Sequence, residues 1–542
     1  MRRPHQNIMA KQTKKTTVFT RDSTGLVKNV SFLDAITLNL GNMSIGAGLG
    51  VIGLTTILLP ASIASGGFNL VLTSLLAFAL SIPQIVVYTM MTRRLPRTGG
   101  DYVWTSRTFG GFVGSSFSFM GYTLETLAYL ALIAISAVFA IGGVLMGLGD
   151  ANAFPLSLPV TFGGNALDQF VIGAVIFAIL IAVNIVTPKN GYRLVSALIV
   201  VGVISLITAT LTLFAAGSGS ASNYLNFAIK NFGAPSNTTV ASIVSGAPTA
   251  SNAPYNLNGI FFMIPFFAIF VYPWLNASPA VGSEIKGKSA VRWNVPISAV
   301  ISLVLITSAF GAMYYAGGYN FVTGALTGNL AGFYDFNFWT FAMGATTNYA
   351  LQAIIGLGWI VWNVGVLSYG VIVFSRYLFA QAFDRFLPER LAYVSPRFSS
   401  PVVAHLIDLV ITIILIGLGT FVYGTLSLLF GNVVAAMIYF LVVGLGAATY
   451  ALKKERGSAK TILAGAGVAM AIVFAFITYL FFASPDIWGT STVVNGIRGY
   501  YLAYLYVAGS FVAGAIIYLA SVRYHRARGI DITLAYKEIP PE

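Results

Sequence analysis

Long stretches without a single charged side chain recur along this chain, for example residues 195–217 and 461–483. A helical crossing of the hydrocarbon core takes about 20 apolar residues. In lipid the backbone must bond to itself, so only helices or closed barrels can span. The short alternating segments of a barrel are absent, and only 8% of residues are charged, against about 25% in soluble domains. The chain therefore reads as an all-α, polytopic membrane protein. Twelve spans are expected, at roughly 39–60, 69–92, 112–148, 168–187, 192–216, 258–283, 294–317, 346–382, 402–420, 425–452, 460–484 and 499–523. The third and eighth exceed the membrane thickness, which predicts tilt or an interfacial extension.

The basic residues assign sides. With the N-terminus inside, every lysine and arginine except Lys230 and Arg498 falls in an inside segment. That is the pattern of the positive-inside rule, so both termini are expected in the cytoplasm of a multi-pass cell-membrane protein. The net charge of +14 is then anchoring beside anionic lipid, and no nucleic-acid partner is expected. There is no cysteine and there are only three scattered histidines, which argues against thiolate metal sites and a bis-histidine haem. No metal or cofactor is predicted. Met1-Arg2-Arg3 is not followed at once by an apolar run, so no cleavable signal peptide is expected. Residues 217–257 are polar and of low complexity, with an N-x-T sequon at Asn237. They are expected to form an outside loop without a fold of its own.

Span 1 carries "SIGAGLGVIG", Ser44 to Gly53. Glycine inside a helix costs about 1 kcal/mol relative to alanine, so its concentration there asks for a reason. A dinucleotide fingerprint would need a preceding strand, which a membrane span cannot supply. Gly46-x-x-x-Gly50 could serve close helix packing alone. Span 6, however, reads "IPFFAIFVYPWLNASPAVG", with prolines at 265, 273 and 279. Two interrupted helices five spans apart point to a transporter binding site, because unpaired backbone at membrane depth is tolerated only where it lines a cavity. The expectation is an unwound segment near Ile45–Gly48 with room for a small ligand against the main chain.

At this point the motifs resemble those of the amino acid–polyamine–organocation superfamily, whose members share the LeuT-type fold. "SIGAGLG" is similar to the span 1 signature, with Asn42 where a glycine is usual. "LPRTGGDYVWTSRTFGGFVG" (95–114) resembles the loop after span 2. "VNIVTPKNGYRLVS" resembles the loop before span 5, "SEIKGK" the segment after span 6, and "SRYLFAQAFDRFLPERLAYVSPRFSSPVVA" (375–404) the loop after span 8. Pro273 and Trp274 stand where the family has a glycine in the span 6 break.

The resemblance implies a 5+5 inverted repeat with discontinuous helices 1 and 6. The repeats would cover 32–216 and 258–452 around the 217–257 loop. Two added helices (453–524) and cytoplasmic tails (1–31 and 525–542) complete the chain. It implies a substrate site built from Ser44, Ile45, Gly46, Ala47, Gly48, Tyr122, Glu125, Phe270, Val271, Tyr272 and Trp274. Amides at 45–48 would take a carboxylate, and carbonyls near Ser44 and Phe270–Val271 an amine. A sodium site of this fold would draw on a span 8 hydroxyl, for which Ser368 is available. The lysine that replaces sodium in some relatives has no counterpart in residues 194–216.

Charged residues at membrane depth are functional by default. Glu125, near the middle of span 3, is expected either to attract a cationic substrate or to carry a proton. Asp34 is expected to cap span 1, and Asp408 to pair with a base, His405 being one turn away. The function expected is secondary transport of amino acids or related organic amines by alternating access, with coupling to H+ or Na+ and the choice of uniport, symport or exchange left open. The alternatives are a polyamine or cationic amine carrier and a non-transporting sensor of the same fold. An enzyme is not expected. Oligomeric state is not legible.

Overall fold

In the computed structural model the described residues are 19–20, 23–57, 59–149, 166–329, 336–423, 432–484, 493–494 and 497–541. Ten helices among them are long and apolar enough to cross a membrane, among them Leu70–Arg94, Gly111–Gly147, Lys288–Gly317 and Tyr349–Phe383. Two further spans are broken. Span 1 consists of Phe32–Asn42, Ile45–Gly50 and Ile52–Ile57. Span 6 consists of Leu257–Phe262, Ile264–Phe270 and Ala277–Ala280. The sum is the twelve read from the sequence.

Local chemistry sets many helix starts. Ser31 and Asp34 form a capping box at span 1, which satisfies two first-turn donors reciprocally. The second oxygen of Asp34 accepts from Ser196 of span 5 at 2.6 Å, so Asp34 also ties spans 1 and 5. Asn69 and Asn348 accept from the first-turn amides of spans 2 and 8. The helix of span 10 is described from Val433, and residues 425–431 of its expected start lie outside the described residues. Residues 1–18 of the N-terminal tail do too.

The 217–257 loop departs from expectation. Ser220–Phe232 is a helix with Tyr224, Phe227 and Phe232 buried, and Tyr224 meets Phe341 edge-on at 5.7 Å. Its polar composition hid aromatic residues at helical spacing. A second correction concerns His405 and Asp408. They do not pair: neither ring nitrogen of His405 has a hydrogen-bond partner among the described residues. Asp408 instead accepts from Thr412, one turn along its own helix, at 3.1 Å.

Span 2 packs on span 7, span 3 on span 8 and span 4 on span 9. This repeated five-span offset is the one expected of two related halves. The basic loops gather at one end of the bundle. There Val30 pairs with Ile285 and Thr98 with Val281, and Arg94 with Glu455. Arg97 donates to the carbonyl of Pro540 at 2.8 Å. Deeper in that end Arg376 of span 8 holds Glu284, just past span 6, through two bonds of 2.8 and 2.9 Å. Tyr192 of span 5 donates to the same carboxylate at 2.8 Å. Both charges are nearly fully buried, so removal of one partner would cost about 3–5 kcal/mol.

The opposite end carries the 217–257 loop, where Asn231 donates to Gly147 and Asn256 to Ser65. An epitope tag within 217–257 and a second tag after residue 542 are expected on opposite faces of the membrane. Antibody staining of sealed cells is expected to detect one of them only. Staining of both before permeabilisation would contradict the fold.

Candidate functional site

The two interrupted spans meet with their breaks facing each other. In span 1 the helix stops at Met43, and Ser44 takes a left-handed conformation (φ 47°, ψ 29°), which a non-glycine residue adopts at a cost of about 1–3 kcal/mol. The chain then resumes as helix at once. Gly48 is the first amide to bond back, to the Ser44 carbonyl at 2.9 Å. The interruption is therefore at 43–44, and residues 45–50 are helical, not unwound as expected. The amides of Ile45, Gly46 and Ala47 form the first turn of the new segment, where N–H groups lack intrahelical partners.

In span 6 the helix ends at Phe270. Val271 caps it in an irregular conformation, and the chain runs to Asn276 before turning helical again. Trp274 closes this gap on itself: its indole N–H donates to the carbonyls of Ala268 (3.1 Å) and Ile269 (2.8 Å). Gln84 of span 2 donates to the Pro273 carbonyl at 2.8 Å. Trp274 thus satisfies backbone carbonyls that a glycine at this position would leave to other partners.

Side chains tie one break to the other. Asn42 donates to Asn276 at 2.8 Å, which accounts for an asparagine where the resemblance leads one to expect glycine. Asn39 bonds both the amide of Ser278 and its hydroxyl, each at 3.0 Å. Tyr129 of span 3 donates to the Ser44 hydroxyl at 2.9 Å and stacks on Trp274 with centroids 5.7 Å apart. Tyr129 thus joins spans 1, 3 and 6. Sequence reading missed it, although it lies one turn beyond Glu125 on the face already singled out.

Span 3 reaches this region through an irregularity of its own. Residues Phe119–Leu124 form a π-helical turn, a feature found frequently at functional sites. Glu125 follows directly. Its carboxylate is buried, with one oxygen at 3.4 Å from the Thr126 hydroxyl and the other without a hydrogen-bond partner among the described residues. Tyr122, Tyr129 and Tyr369 lie within its electrostatic reach. A buried carboxyl with a free oxygen calls for a proton or a cationic partner.

The remaining predicted residues divide. Phe270 lies against Gly48, where a Cβ would sit 2.8 Å from the Phe270 Cβ. Tyr272 bonds Ser74 of span 2 at 2.7 Å. Tyr122 stacks on Tyr377 at 3.6 Å, nearer the basic end than Ser44. The Ser368 hydroxyl is buried and has no hydrogen-bond partner among the described residues, not even in its own helix, unlike most serines in spans.

Gly46 is not open to a ligand in this structure. A Cβ there would lie 2.4 Å from the ring of Trp362, and one at Gly50 would lie 2.1 Å from the indole nitrogen of Trp359. The spacing Gly46-x-x-x-Gly50 therefore packs span 1 against two tryptophans of span 8. Close packing and a break coexist, one on each side of the same segment.

A bundle of continuous apolar helices around two crossed, broken ones is the architecture of a membrane carrier. A sequence model of the amino acid permease family matches residues 30–511, and the chain belongs to that family, within the amino acid–polyamine–organocation superfamily. A comparison with curated proteins finds no match. Membership makes it a multi-pass transporter of small molecules.

The packing of Gly46 has a direct consequence. Gly46→Ala is expected to lower stability by about 1–3 kcal/mol, as overpacking does, read as a lower melting midpoint in detergent. Gly465→Ala in span 11, where a Cβ would meet nothing within 4 Å, is expected to leave the midpoint unchanged. Equal midpoints for both variants would contradict the packing.

Proposed function

We propose that this permease is a secondary active carrier for amino acids or related organic amines that works by alternating access. The observation that carries the reading is the crossing of the breaks, with Asn42 bonded to Asn276 and Tyr129 joining Ser44 to Trp274. On this reading the first-turn amides at 45–47 receive a carboxylate, since helix starts favour anions. Carbonyls near Ser44 and Phe270–Val271, with the free oxygen of Glu125, receive the amine. Trp362 covers Gly46 in this closed form, so entry of substrate requires spans 1 and 8 to separate. Ser368 is the hydroxyl we assign to a coupling cation, should sodium rather than a proton drive the cycle. We place the basic end in the cytoplasm, on the positive-inside rule.

The unpaired oxygen of Glu125 favours a second reading, a carrier for cationic amines or polyamines. Uptake of labelled amino acids and amines into proteoliposomes, with and without a proton or sodium gradient, separates the two. Glu125→Gln removes the charge and keeps the volume. If Glu125 is a counter-charge, affinity for cationic amines is expected to fall roughly tenfold to a hundredfold, the worth of one charge-assisted bond, while neutral amino acids are retained. If it carries a proton, exchange survives and pH-driven accumulation is lost. No uptake of any amino acid or amine by the unmodified protein would overturn the carrier reading.

A further inference from the structure

Among the buried carboxylates outside the substrate site, Asp101 is held by three helices at once. Asp101 lies in the first turn of Gly100–Phe109, the loop helix between spans 2 and 3. Two glycines place it there. Gly99 has φ 89°, and Gly100 has φ 43° with its Cα against the main chain of Pro279 and Ala280, where a Cβ would come within 2.9 Å. Asp101 is fully buried. One oxygen accepts from Tyr377 of span 8 at 2.5 Å and from Tyr439 of span 10 at 2.9 Å. The other accepts from Tyr88 of span 2 at 2.5 Å.

No cation pairs with Asp101 among the described residues. The groups that face it are phenols: Tyr88, Tyr377 and Tyr439, with Tyr122 of span 3 stacked on Tyr377. On its own helix, Tyr102 donates to Asp384 at 2.8 Å. Arg107 holds the same Asp384 at 2.7 Å, so the nearest full charges already neutralise each other. Tyr122 lies within electrostatic reach of both Asp101 and Glu125.

Three spans thus close on one unpaired carboxylate at the basic end. Any movement that parts span 2 from spans 8 and 10 breaks at least one of these bonds and admits water. We propose that Asp101 is a proton-binding latch of the basic-end gate, holding that end closed when protonated and releasing its proton to water when the end opens. The proton leaves the carboxyl oxygen, the O–H bond breaks, and the carboxylate is then hydrated.

The charge environment agrees in sign. Burial pushes the Asp101 carboxyl up to about 6, against the phenol hydrogen bonds, which pull it down. In water it would return to about 3.9. The closed form therefore binds the proton more tightly, so closure gains steadily as pH falls from about 6 to about 3.9, and that gain is lost again as pH rises to about 6. A difference of about two units corresponds to roughly a hundredfold change in the ratio of closed to open forms.

The gate belongs to the carrier reading above, but its test needs no substrate, so failure of transport and failure of the latch remain distinct. The chain has no cysteine, so Ala380→Cys supplies a single reporter. Ala380 is 6% exposed, lies against Gly99, and borders a small void shared with Thr98 and Val103. Labelling of purified protein with a hydrophilic maleimide is followed from pH 4.5 to 8, each rate normalised to the denatured protein at the same pH. The normalised rate is expected to rise with pH up to about 6 and then level off, by up to roughly thirtyfold over this range. Asp101→Asn is expected to hold it low and flat. Tyr439→Phe removes one bond to the charged form and is expected to move the levelling-off point up by about one unit. A flat profile with Asp101 present, a rise retained in Asp101→Asn, or an unmoved levelling-off point in Tyr439→Phe would overturn the latch. If Asp101→Asn does not fold, the Tyr439→Phe profile decides.

Discussion

A helix interrupted inside hydrocarbon leaves amides and carbonyls with no water to meet, at several kcal/mol for each group left unpaired. Everything at the centre of this protein answers that constraint. The Trp274 indole takes the carbonyls of Ala268 and Ile269, and Gln84 takes that of Pro273. Trp339 takes the carbonyl of Gly46 at 2.8 Å. Asn42 and Asn276 bond each other across the gap. The amides of 45–47 are the groups that this set does not reach. On the carrier reading, a polar ligand supplies the partners that these first-turn amides lack within their own helix.

A second tier of polar bonds holds the basic end. Arg376, Glu284 and Tyr192 join spans 8, 6 and 5. Tyr102, Arg107 and Asp384 join the loop helix to the end of span 8. Buried ion pairs add little net stability compared with apolar packing, but losing one partner is costly. On the alternating-access reading they suit a closure that is either complete or fully open. The apolar interfaces do the opposite work. Gly46 and Gly50 seat Trp362 and Trp359, so span 1 lies close to span 8 without any bond that must be broken before the two can slide apart.

Most of the architecture was legible in the sequence because lipid imposes strict rules. Uncharged runs gave the spans, and the placement of lysine and arginine gave the two ends. The loop motifs that carry the family resemblance are now seen to be clamps: Gly99 and Gly100 set the loop helix, and Arg376 and Asp384 lock span 8. The glycine-rich stretch marked the right region and misplaced its function. Glycines signal freedom, but the residue that leaves the helix is Ser44, and the glycines record the size of tryptophans far along the chain, Trp362 and Trp359 of span 8, which no local pattern shows. Tyr129 and Asp101 were missed for a related reason. A tyrosine in an apolar run looks like core, and an aspartate in a loop looks solvated, until distant helices are seen to close over them. The buried helix Ser220–Phe232 escaped because average polarity concealed its aromatic face.

The central claim is that the substrate lies between the two breaks. A structure determined with a transported amino acid bound tests it most directly. The account predicts density between residues 43–48 and 270–276, with the carboxylate against the amides of 45–47, the amine toward Glu125, and Trp362 withdrawn from Gly46. Density for the amino acid elsewhere in the bundle, with Trp362 still seated on Gly46, would contradict it.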